Sequence, residues 1–137
     1  MGRTRARATQ ATPGFTLDAG ALIAIERRDE RILALLERAS ERGGVVFAVP
    51  VPVLAQVWRG SARQAQLARF LALPEVEIVA CDAPSARAAG VLYGAAGTAD
   101  VVDAFVVVCA RERGHRVVTS DAGDLALLDP SLEVVAL

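Results

Sequence analysis

Asp18, Asp103 and Asp121 are the residues of this 137-residue chain best placed to do chemistry together. Asp18 follows the short β-like run Phe15-Thr16-Leu17, and Asp121 stands just beyond a second such run, Arg116 to Thr119. Asp103 falls in the first turn of the helical stretch that leads into that second run. Asp100 and Asp124 add carboxyls three residues from Asp103 and Asp121. Two carboxylates about 4 Å apart repel by roughly 4 kcal/mol at an effective dielectric of 20. A cluster of them therefore takes up protons or recruits a cation. Ligands that are all oxygen favour Mg²⁺ or Mn²⁺ over zinc. One His and two separated Cys leave zinc almost no donors. A cation held this way suits in-line attack on a phosphodiester. Each acid also has a plainer explanation, because Asp at a helix start caps free N–H groups. Asp82, which also opens a helix, is read as a cap only.

The elements that would carry these acids alternate between strand and helix. Strands are expected at Phe15–Leu17, Val45–Val49, Val76–Cys81, Arg116–Thr119 and Glu133–Ala136, the last at a sheet edge. Helices are expected at Ala19–Arg27, Asp29–Arg42, Val51–Arg59, Ala62–Leu71, Asp82 towards Tyr93, Asp100–Arg113 and Ala122–Leu128. Gly94 to Thr98 is expected as a loop. Such alternation predicts right-handed crossovers and an α/β fold, a three-layer α/β/α sandwich on a mainly parallel sheet. Sites in open sheets of this kind lie beyond the carboxyl ends of the strands, where strand order reverses. If the first and fourth strands are neighbours, the acids meet there.

Composition agrees with one such domain at 14–137, preceded by an Arg-containing arm at 1–13. Hydrophobic residues make up 53% and aromatics only 4%, the palette of a sheet covered on both faces. All 15 basic residues are Arg and the net charge is −1, which argues against a protein that coats nucleic acid generally. A local nucleic-acid site remains open. Absence of an apolar leader and of a membrane-length apolar run leads to the expectation of a cytoplasmic protein with no membrane association.

At the acids the sequence resembles the PIN domain, and specifically the VapC-like ribonuclease toxins of bacterial toxin–antitoxin pairs. The matching pieces are Leu17-Asp18-Ala19-Gly20-Ala21-Leu22-Ile23-Ala24, Asp100-Val101-Val102-Asp103-Ala104, and Val118-Thr119-Ser120-Asp121 with Asp124-Leu125. The resemblance implies an endoribonuclease dependent on Mg²⁺ or Mn²⁺, an RNA substrate, a cognate antitoxin that blocks the site, and a homodimer. Asp18, Asp103 and Asp121 then match the family's metal-holding acids. Asp100 matches an auxiliary acid, and Thr119, Ser120 and Asp124 are supporting positions. Gln56 departs from the pattern, for the family usually has Glu there. Gln offers a carbonyl oxygen without charge, and it cannot serve as a general base. This leaves a second reading, a catalytically weakened module that binds RNA or a protein without cleaving. A third, a phospho-acceptor receiver-type domain, is disfavoured because the chain has no Lys.

Among the remaining features, Gln56, Arg59 and Arg63 recur at helical spacing and are candidates for facing RNA phosphate, against a merely solvated face. Trp58 is expected in the core or a dimer contact rather than stacked on a base. Cys81 and Cys109 are expected as buried thiols, and His115 as a turn residue.

Overall fold

The computed structural model describes residues 13–97 and 100–137. The arm at 1–13 lies outside the described residues except for Pro13. The chain alternates β1 (Gly14–Leu17), α1 (Ala19–Glu26), α2 (Glu30–Arg42), β2 (Val46–Pro50), α3 (Val51–Val57), a 3-10 turn (Ala62–Gln64), α4 (Ala65–Leu71), β3 (Val76–Val79), α5 (Ala83–Ala96), α6 (Val101–Arg113), β4 (Arg116–Thr119), α7 (Ala122–Leu128) and β5 (Val134–Ala136).

The five strands form one sheet in the order β3-β2-β1-β4-β5, and every pair is parallel. α1 packs on α2, α3 and α4, while α6 packs on α5 and α7, which makes the outer layers of a three-layer sandwich. Residues of β1, β2 and β4 are buried on both faces, as expected for parallel strands under helices. Phe15 and Phe47, paired across β1 and β2, stack with ring centroids 6.0 Å apart. β3 and β5 are the edges and are only partly covered.

Helix ends follow local chemistry. Asp18, Asp29, Asp82 and Asp100 cap α1, α2, α5 and α6 with side-chain oxygens. Gly114 ends α6 at φ 67°, a left-handed conformation that suits glycine.

Several boundaries differ from the sequence reading. α3 stops at Val57 rather than Arg59, and β3 at Val79 rather than Cys81. α5 runs on to Ala96, so Gly94 is helical; Gly97 follows at φ 75° and Thr98 lies outside the described residues. Cys81, beyond the shortened strand, is exposed, whereas Cys109 is buried in α6. His115 is also buried, with Nδ1 3.2 Å from the Thr16 hydroxyl, and is part of the interior rather than an open turn. Trp58, past the end of α3, is 40% exposed and so is not a core residue.

Strand order decides where a site can form. From β1 the chain steps to β2 and β3 on one side, then returns to lay β4 and β5 on the other. The reversal falls between β1 and β4, and the register there pairs Leu17 with Val118. Asp18 therefore emerges beside Thr119, and its N–H donates to the Val118 carbonyl at 3.3 Å.

Candidate active site

Asp18 leaves β1 in extended conformation and becomes the cap of α1, with its Oδ1 accepting the Ala21 N–H at 2.9 Å. It is buried, and burial is the main force that pushes its carboxyl above the usual range. The Thr119 hydroxyl and the N–H groups of Ala21 and Gly20 oppose that shift. Thr119 is fully buried and also accepts the Asp121 N–H at 2.8 Å. One hydroxyl thus ties the acid after β1 to the acid after β4.

Gly20 lets these two strand ends meet. A Cβ at this position would overlap the Ser120 hydroxyl and reach 3.4 Å from Asp18 Oδ1. Any larger residue would lift the start of α1 away from the end of β4.

Asp121 caps α7, accepting the Asp124 N–H at 3.3 Å, and Asp100 caps α6, accepting the Val102 N–H at 2.9 Å. Capping therefore accounts locally for Asp18, Asp100 and Asp121. It does not account for Asp103, which sits half-buried inside the first turn of α6. Burial raises the Asp103 carboxyl to about 6, and the charges of Asp100, Asp18, Asp124 and Asp121 push in the same direction. Asp124 is raised as well, by its contact with Asp121. The three ion pairs among the described residues join Arg31 to Asp29, Arg111 to Asp129 and Arg113 to Glu77, so none neutralises these five acids.

The end of the sheet at the strand-order reversal thus gathers five acids, and no ion pair among the described residues offsets their charge. That donor set fits a hard divalent cation. It is not a finished cage: among the described residues no three acids stand close enough together to hold an ion.

This chain matches the PIN domain family over residues 15–128, from β1 to the end of α7. The chain belongs to the PIN-domain family. Solved structures share the fold at low identity. A chain of VapBC2 from Rickettsia felis, bound to a DNA fragment from its promoter, superposes with a TM-score of 0.70 at 18% identity, covering 90% of this chain and 98% of that one. A toxin–antitoxin complex from Klebsiella pneumoniae gives 0.67 at 19% identity, covering 88% and 95%. FitAcB from Neisseria gonorrhoeae gives 0.62 at 19% identity with the same coverage. No curated protein sequence matches significantly.

The PIN domain places the other candidate residues less uniformly. Gln56 is exposed in a hollow shared with Arg27, Arg59 and Gln64, and none of the five acids lines that hollow. Arg59 lines it too, but Arg63 does not: the helix ends at Val57 and Trp58 is extended (ψ 129°), which breaks the helical spacing that would have aligned them. Sequence reasoning missed Gln64 altogether. This buried side chain accepts the N–H groups of Arg59 and Gly60 at 2.8 and 3.1 Å, and donates to Glu26 Oε1 at 3.0 Å and the Val57 carbonyl at 2.9 Å. It clamps the loop after α3 against the end of α1. Nothing in its sequence neighbourhood distinguishes it from an ordinary surface Gln. Among the described residues, no helix is long and apolar enough to cross a membrane.

Proposed function

We propose that this PIN domain is an endoribonuclease dependent on Mg²⁺ or Mn²⁺ and acts as the toxin of a toxin–antitoxin pair. The observation that carries the reading is Asp103. It caps nothing, and burial and four neighbouring acids hold its carboxyl at about 6. A group kept in so unfavourable a setting at the strand-order reversal has no structural task that explains it. The toxin role is supported by the solved folds it resembles, which are chains of toxin–antitoxin assemblies.

Asp18, Asp103 and Asp121 would hold the ion, with Asp100 and Asp124 adding charge around it. Bound there, a divalent ion would supply Lewis-acid activation of water and offset the charge that builds on the phosphate. Thr119 orients Asp18 and opposes the upward push that burial gives its carboxyl, and the close fit of Gly20 on Ser120 holds the two strand ends together. The homodimer and the protein antitoxin belong to the same reading.

Asp18→Asn and Asp103→Asn should each lower RNA cleavage by about 100- to 1000-fold, the scale of a lost electrostatic stabiliser. Unchanged cleavage by either purified variant would sink the proposal. A second reading is favoured by one observation: Gln56, where the resemblance leads one to expect Glu, is uncharged. If Gln56→Glu created cleavage where the natural chain has none, the chain would be a binding module with a weakened centre.

A further inference from the structure

An acidic crevice in a chain of net charge −1 has no long-range attraction for a polyanion. Whatever anionic strand reaches the five carboxylates must be drawn by cations close to them. Two neighbouring hollows along α1 provide such cations. One, of about 350 Å³, is bounded by Gly20, Ser120, Ile23, Arg27, Asp29 and Arg31. The second, of about 260 Å³, has Ile23 and Arg27 again, with Glu26, Gln56, Arg59 and Gln64. The two hollows share Ile23 and Arg27 as lining residues, and together they are taken as one trough. Its near end, at Gly20 and Ser120, adjoins Asp18 and Asp121 in the chain.

The charges along the trough are not equivalent. Arg31 is paired with Asp29, at 3.3 Å. Glu26 is held by Gln64 at 3.0 Å. Arg27 and Arg59 have no acidic partner among the described residues. Arg59 is nonetheless positioned: its Nη1 donates to the Trp58 carbonyl at 2.8 Å, and its backbone is pinned by Gln64. The adjacent residue Trp58, 40% exposed, carries a ring on which an unpaired base can stack.

We propose that this trough is the entry channel for a single-stranded RNA substrate, with Arg27 and Arg59 binding successive stretches of its phosphate backbone. The proposal rests on the ribonuclease reading above and extends it by naming the residues that guide the strand. Base identity plays no part in these contacts, so Arg27 and Arg59 set affinity and direction of entry rather than sequence preference.

The test measures binding of a fluorescent single-stranded RNA oligonucleotide across a series of NaCl concentrations. The full chain carries Asp103→Asn so that the probe stays intact. In that background Arg27→Gln with Arg59→Gln should weaken binding and lower the slope of log affinity against log salt by about 1.4, roughly 0.7 for each phosphate no longer neutralised. Each single change should remove about half of that slope. Arg87→Gln, on the opposite helical layer, should leave it alone. An unchanged slope in the double variant overturns the channel, as does a parent chain that binds no RNA. Loss of binding to a protein partner with RNA binding intact would also overturn it, by making the trough a protein seat. Cleavage by the chain with Asp103 restored is scored separately. Failure of the nuclease reading therefore shows as absent cleavage, and failure of the channel as an unmoved salt slope.

Discussion

The hydroxyl of Thr119 donates to the carboxylate of Asp18 across the β1–β4 pair, and it is the one side-chain contact that holds this acid down against its burial. The same oxygen accepts the Asp121 N–H at 2.8 Å. Thr119→Val keeps the shape and removes both bonds. It should destabilise the fold by about 1–3 kcal/mol, the usual cost of stranded buried polar groups. The Asp18 carboxyl should move further up. Urea denaturation reads the first effect and a carboxyl pH titration by NMR the second. Thr119→Ser should restore both.

Gly20 and Ser120 form a second joint between the same strand ends. Gly20→Ala brings a methyl into the Ser120 hydroxyl, and Ser120 Cβ would stand only 3.0 Å from it, so the backbone must give. The expected loss is about 1–3 kcal/mol, typical of overpacking. Ser120→Gly should recover most of it. A double-mutant cycle that shows simple additivity would mean the two positions do not press on each other.

Asp103 makes stability depend on pH in an unusual direction. Its folded carboxyl, at about 6, lies above its ordinary value of 3.8, so between those limits the folded chain binds more protons than the unfolded one. Stability contributed by the neutral carboxyl is fully present below about pH 4 and lost as pH rises past about 6. Without divalent cation, the contribution of Asp103 to the denaturation midpoint should fall across that window. Asp103→Asn should flatten this part of the profile and gain relative stability at pH 7.

Gln64 holds four polar groups at the junction of α1, α3 and the following loop. Gln64→Leu should cost on the order of 1–3 kcal/mol for each buried partner left unsatisfied. It should also free the Trp58–Gly60 loop, seen as faster amide exchange at Arg59 and Gly60. Gln64→Glu should not substitute, because it offers no donor to Val57 and sets a second carboxylate against Glu26.

The acids are legible in the sequence because their spacing is tied to the strand–helix alternation: once β1 and β4 are neighbours, Asp18 and Asp121 must approach. Asp82 reads the same way locally, and it caps α5 from edge strand β3, through Ser85 N–H at 2.9 Å. What sequence does not encode locally is what the tertiary fold supplies. Gln64 owes its burial to partners as far away as Glu26. His115 looks like a turn residue until β1 places Thr16 against it. Cys81 reads as interior only while the strand from Val76 is taken two residues past its end at Val79. The helical alignment of Gln56, Arg59 and Arg63 fails at Trp58, whose extended backbone ends the helix on which it depends. Arg27 shows no distinction in sequence from Arg28, and only the trough along α1 sets it apart.

The proposed cation site is built around Asp103, with Asp18 and Asp121 as its partners. Calorimetric titration with Mn²⁺ at pH 7.5 and at pH 5.5 tests it most directly. A cation must displace the proton that Asp103 holds below about 6, so binding should be tight at the higher pH, weaker at the lower, and accompanied by proton release at the lower. Asp103→Asn should abolish most of the heat at both. Equal Mn²⁺ binding by the natural chain and Asp103→Asn, or no binding by the natural chain at pH 7.5, would contradict the account.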